Sequence, residues 1–318
     1  MRMKMLWRCA VAGLALCFTG LSSRAGENAA PTAVPPPLEM MASIHKTAVP
    51  PMIDGVLDDD CWKDATPIKG DFVLGKKGVV GATPRLKVRF AWDEHYLYIA
   101  YECKDKTLQA IGTGELQGPA DHKREGLEIG VPNQTPDVVE FFISFGSESC
   151  FWELHHNALN QWNDVLCIVA PESSLDAKST LFNGCRIRWI GAEWLNDEGP
   201  YKLRTAARLL AKRDGEASTV NDDSDEDSGY AGEMRIPWRP LGPPIERETT
   251  IEAPDPNDPT AKIQIPVSWH MAGQEIRIFA AAQDGASKNE RYHHTSPTLV
   301  NGFFHVNASE WPKYRLVE

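Results

Sequence analysis

KVRFAWDEHYLYIAYECKD, residues 87–105, is the stretch on which the fold turns. Val88, Phe90 and Trp92 alternate with more polar neighbours, the period of a strand with one buried face. Asp93-Glu94-His95 is short and polar, and a second run rich in Tyr, Leu and Ile follows it. Two such runs around a polar turn predict a β-hairpin.

Outward from this hairpin, strand-like runs recur at 138–144, 150–157, 163–170, 185–191, 230–236, 275–284 and 313–318. Residues 201–212, YKLRTAARLLAK, suit a helix as well as a strand; elsewhere helical periodicity with caps is nearly absent. Many short strands at this spacing predict an all-β fold, an antiparallel β-sandwich of jelly-roll or immunoglobulin-like type. Residues 112–136, the acidic run NDDSDEDS (221–228) and the proline-rich GPPIERETTIEAPDPNDPT (242–260) read as loops at the sandwich ends.

The N-terminus reads as an export signal. MRMKMLWR is basic, an apolar run follows, and Ser23-Arg24-Ala25 carries small residues where a signal peptidase reads them. The expected organisation is a signal peptide (1–25), an Ala/Pro-rich linker (26–43) and one domain (44–318), secreted or periplasmic. A lipoprotein through Cys17 is the alternative, and Leu16 stands against it. Past residue 25 no apolar run approaches the roughly 18 residues of a membrane span.

The signal holds four of the 33 basic residues, so the remaining chain carries 29 against 44 acidic residues, a formal charge of −15. Nucleic acid and anionic lipid need basic footprints, so a neutral ligand fits better. Five cysteines remain (Cys61, Cys103, Cys150, Cys167, Cys185) without a CxxC zinc spacing.

No GxSxG or HExxH signature is present, and Gly112, Gly114 and Gly118 miss a dinucleotide-binding spacing. His155-His156 and His293-His294 are adjacent pairs, which a strand points to opposite faces, so neither pair shares a metal. IDGVLDDDCW (53–62) sets Asp54, Asp58, Asp59 and Asp60 close together, as calcium ligands, a catalytic pair or a solvated turn. A structural Ca²⁺ is an open option there and at Asp222–Asp227; otherwise no cofactor is expected. Trp162, Trp194, Trp269 and Trp311 lie near strand ends, either plugging the core or presenting a ring to a sugar.

Six stretches in order, PMIDGVLDDDCWKDA, VRFAWDEHYLYIAYECKD, DVVEFFIS, FWELHHNALNQWNDV, GYAGEMRIPWRPLG and FFHVNASEWPKYRL, resemble the family 9 carbohydrate-binding modules. The resemblance spans residues 44–318 and implies a β-sandwich that grips a glucan or xylan chain end between two tryptophans. It places Glu140 as the hydroxyl-binding carboxylate, with Gln283 and Arg291 as further polar contacts. Of the two stacking positions, one falls near Gln134, where no aromatic stands, and the other on Phe304. Trp162 and Trp311 are candidate replacement platforms. The resemblance also makes IDGVLDDDCW the lead-in to the first strand, with Asp58–Asp60 as cap and flank and Trp62 plugging the core. The implied role is non-catalytic binding of a polysaccharide or oligosaccharide in carbohydrate catabolism. The alternatives are a cell-envelope interaction domain without sugar binding and a haem or redox module on a similar sandwich.

Overall fold

Two sheets meet across an apolar core because the strands alternate so regularly. The computed structural model describes residues 41–74, 85–110, 118–119, 137–174, 180–182, 185–191, 202–243, 246–255, 258–285, 292–299 and 304–318. The expected signal peptide and most of the linker lie outside them. The N-terminal half begins with β1 (Ala42–His45), β2 (Ile68–Gly70), β3 (Phe72–Val73), β4 (Leu86–Trp92) and β5 (Tyr96–Cys103). It continues through β6 (Gly118–Pro119), β7 (Val138–Ser144), β8 (Cys150–His156), β9 (Gln161–Pro171), β10 (Thr180–Phe182) and β11 (Cys185–Gly191). Then come β12 (Arg204–Leu209), β13 (Tyr230–Pro237), β14 (Glu246–Asp255), β15 (Asp258–Trp269), β16 (Glu275–Gln283), β17 (Tyr292–His294) and β18 (Lys313–Val317).

The larger sheet runs β1-β18-β16-β7-β8-β9-β11-β10, with β17 on β16 and β3, and β6 on β9; the smaller runs β12-β13-β5-β4-β2. Pairing is antiparallel except β1 with β18 and β6 with β9. Between the sheets, Val88, Phe90, Ile99, Tyr101 and Met234 of the smaller meet Val139, Phe141, Leu154, Ile278 and Leu316 of the larger. This is the β-sandwich expected from residues 87–105, whose two runs become β4 and β5.

The ambiguous run 201–212 resolves as β12, because Arg204–Leu209 pairs along β13. Tertiary pairing overrides the helix preference of its Ala and Leu residues. The linker boundary also moves: Ala42 and Ser43 are strand, paired with Tyr314 and Arg315. The proline-rich segment is no loop. Residues 246–255 and 258–269 pair as a separate two-stranded hairpin. Each strand of such a ribbon is an edge, which tolerates prolines that a central strand would reject.

The stretch 53–64 corrects the sequence reading twice. It covers the outer face of the smaller sheet, where Trp62 packs with Tyr98 and Ala100 in a cluster apart from the main core. Its end is a helical turn, α1 (Asp60–Asp64). Asp59 makes no capping hydrogen bond; it accepts the Met52 N–H at 3.2 Å. The turn is pinned from β13. Glu233, buried and opposite Ala100, accepts the Asp54 and Gly55 N–H groups (3.0 and 2.8 Å) and Trp62 Nε1–H (2.8 Å).

Asp164, next to Leu154 on the inner face of β9, is buried, and burial pushes its carboxyl up to about 8. The unfolded carboxyl titrates near 3.8, so between about pH 4 and 8 the folded chain holds a proton that the unfolded chain has lost. This group's contribution to stability therefore falls as pH rises through that window, by up to about 1.4 kcal/mol per unit. Asp164→Asn is expected to gain stability relative to the wild type as pH rises from 5 to 8. Thermal melts at both pH values check this, and parallel pH profiles would refute it.

Candidate functional site

The larger sheet's outer face gathers the polar residues that the alternation turns away from the core. In register across it lie His294 (β17), Ala281 (β16), Glu140 (β7), His155 (β8) and Asn163 (β9). One row on are Phe279, Phe142, Glu153 and Val165; on the other side Tyr292 pairs with Gln283. The Tyr292 hydroxyl donates to Gln283 Oε1. His156 turns inward instead, bonded through Nδ1 to the Tyr101 hydroxyl (2.8 Å) and through Nε2 to Asn160 Oδ1 (2.9 Å). The adjacent histidines thus divide between faces, as the strand period requires.

Aromatic rings adjoin this row. Phe304, in a 3-10 turn (Phe304–Val306), stacks on Phe279 with centroids 5.2 Å apart and tilts against Phe142 at 4.8 Å. The face is recessed: Glu140, Gln283 and Phe304 are 6, 8 and 5% exposed. The structure therefore brings Glu140, Gln283 and Phe304 to one face. Gln134 and Arg291 lie outside the described residues, as do Trp194, Gly112 and Gly114.

The two replacement platforms are corrected. Trp162 faces the inter-sheet core. Trp311 is fully buried behind Phe304, its Nε1–H on the Phe304 carbonyl at 3.0 Å. Neither presents an open ring. Both are strand-end tryptophans, and the chain closes over each because a large aromatic gains more from burial than from exposure.

Glu153 lies one step from this row. His155 Nε2 lies 2.9 Å from its Oε1, while His305 Nε2 (3.0 Å) and Cys167 Sγ (2.9 Å) meet its Oε2. Burial alone would raise Glu153, but His305's charge and the hydrogen bonds from His155 and His305 bring it below the usual carboxylate range. For His155, burial acts downward but is outweighed by the Glu153 bond and by the charges of Glu140 and Glu153, so the imidazole is raised. His294 goes the other way: burial and the neighbouring His293 push it down to about 4. Sequence reading missed the cluster: Glu153 and His155 share one face of β8, but Cys167 comes from β9 and His305 from the 3-10 turn, with no spacing that links them to it.

The other motif carboxylates serve the scaffold. Asp93 accepts the His95 and Tyr96 N–H groups (2.7 and 2.8 Å) and the Tyr98 hydroxyl (2.6 Å), closing the β4–β5 turn. Asp137 accepts from Gln109 N–H (2.6 Å) and Gly285 N–H (2.8 Å); burial and the charge of Asp105 push it up to about 8. Arg85 pairs with Asp105 at 3.0 Å and with Asp284, so this buried trio carries its own cation. Asp225 and Asp227 of the acidic run take protein donors: Lys212 Nζ and the Thr219 hydroxyl on Asp225, and the Leu108 and Thr219 N–H groups on Asp227. A cleft of about 640 Å³ beside them is lined by charged groups such as Arg85, Asp105, Lys212 and Asp225. No helix among the described residues is long and apolar enough to cross a membrane.

The sequence profile described as "Carbohydrate family 9 binding domain-like" matches residues 53–143. Endo-1,4-beta-xylanase C of Paenibacillus barcinonensis is 27% identical over 165 residues, 47% of this chain. The match covers 13% of that enzyme's length. Two solved structures of a family 9 module from Caldicellulosiruptor kristjanssonii are also similar. The complex with glucose covers 86% of this chain and 95% of its own, at 14% identity and a TM-score of 0.44. The complex with cellotriose covers 86% and 93%, at 15% identity and 0.44.

Proposed function

For a chain built around a family 9 carbohydrate-binding module-like domain, we propose non-catalytic binding of an oligosaccharide on the outer face of the larger sheet. One observation carries this reading. Glu140 and Gln283 project from β7 and β16 on the same face, beside the stacked Phe279 and Phe304. A carboxylate and an amide next to aromatic rings make a common sugar-binding arrangement: hydroxyls take charge-assisted hydrogen bonds while the apolar ring face packs on aromatics. Export through the basic, apolar N-terminus would bring the domain to extracellular or periplasmic polysaccharide.

Isothermal titration with cello- and xylo-oligosaccharides tests the reading. The wild type is expected to bind with at most millimolar Kd. Glu140→Ala is expected to weaken binding about 10–100-fold, the worth of hydrogen bonds to a charged group, in protein that still melts cooperatively. The low exposure of Glu140 and Phe304 favours one other reading, an interaction domain that uses the sandwich without a sugar. Absence of heat from the wild type at millimolar sugar would decide for it.

A further inference from the structure

We propose that Cys167, His305 and Glu153 form a site for one zinc-class divalent cation, with His155 orienting the glutamate. Their ligand atoms, Sγ, Nε2 and a carboxylate oxygen, all lie within 4.8 Å of one another, and all three residues are buried. Around a tetrahedral zinc, with bonds of about 2.0–2.3 Å, neighbouring ligand atoms sit about 3.3–3.6 Å apart. The Cys167–Glu153 and His305–Glu153 separations of 2.9 and 3.0 Å are a few tenths short of that. Small side-chain shifts would seat an ion between them.

The chemistry selects the class of ion. One thiolate, one imidazole and one carboxylate suit zinc or cobalt; calcium and magnesium want several oxygen ligands. A thiolate and a carboxylate also neutralise a dication, which matters where Phe142, Phe151 and Phe304 crowd the His305 ring at 5.0, 6.3 and 4.9 Å. On binding, the Cys167 S–H and the His305 Nε2–H bonds break, both protons leave to solvent, and the sulfur and nitrogen lone pairs go to the metal. His155 on the second oxygen of Glu153 is the outer hydrogen bond that fixes a ligating group's orientation. The three ligands come from β8, β9 and the 3-10 turn at 304–306, so the ion would clasp the C-terminal segment to the sheet.

Untagged protein loaded with zinc and then desalted is expected to retain one metal per chain. Cobalt in place of zinc should give a thiolate-to-metal charge-transfer band and visible bands of tetrahedral intensity. His155→Gln is expected to weaken zinc binding about 10–100-fold, with a larger loss for His305→Gln. Cys167→Ser should abolish the charge-transfer band, whereas Cys150→Ser, at an exposed thiol, should leave it intact. A wild type that retains no metal, a cobalt spectrum without the thiolate band, or a band that survives in Cys167→Ser would overturn the proposal. Should Cys167→Ser fail to fold, the wild-type stoichiometry and spectrum still decide.

Discussion

Glu233→Ala is expected to destabilise the fold by about 3–5 kcal/mol, read as a lower midpoint in thermal or urea unfolding. The substitution leaves the Asp54 and Gly55 N–H groups and the Trp62 indole N–H without their acceptor. Each orphaned buried donor costs about 1–3 kcal/mol, less where the turn can take up water. Glu233→Gln should lose about 1–2 kcal/mol, since its oxygen can serve the two backbone groups only by setting its NH₂ against the indole N–H. Trp62→Ala removes a buried aromatic and belongs in the range of about 3–5 kcal/mol. Because the two residues share a bond, the double variant should cost less than the sum. Asp60, exposed and paired with Lys63, is the contrast: its replacement by alanine should change stability by no more than about 0.5 kcal/mol. Equal losses at Asp60 and Glu233 would show that the pin is not what holds this turn.

Gly229→Ala is expected to be as damaging, about 3 kcal/mol or more, for a steric reason. Gly229 opens the run into β13 at φ +111°, where side chains are strained. A Cβ there would strike the Cys103 carbonyl oxygen and lie 2.8 Å from Lys104 Cα, all backbone that cannot swing aside. Gly215, at φ +90° with nothing within 4 Å of its added Cβ, separates the two effects. Gly215→Ala should cost only the backbone strain, about 1–2 kcal/mol. Comparable melting temperatures for both variants would remove the steric argument.

Strand period carried most of the fold. Alternation at Val88, Phe90 and Trp92 told which side chains share a face, and β4, β7, β11 and β16 fall where that pattern puts them. Period does not tell what covers a face, and the corrections at the tryptophans have that source. Trp62 covers the outside of the smaller sheet, and Trp311 closes over the larger one, through packing between segments far apart in sequence. The motif carboxylates were legible as landmarks, but their roles were not: Asp93, Asp137 and Glu233 each hold turn or loop backbone, and Glu140 alone joins the polar row. Cys167 and His305 stand 14 and 152 positions from Glu153, and only the fold brings them to it.

The parallel pairing of β1 with β18 bears on the order in which the molecule assembles. Ala42–His45 finds its hydrogen-bonding partner in Tyr314–Val317, and Lys46 bonds Glu318 across a sequence gap of 272. Closing so long a loop comes late, since its entropy must be spent before the contact returns anything. Until β18 has been synthesised, β1 lacks the partner of its ladder and the β18-facing edge of β16 is open. During synthesis this edge is where the nascent domain is exposed to the wrong partner.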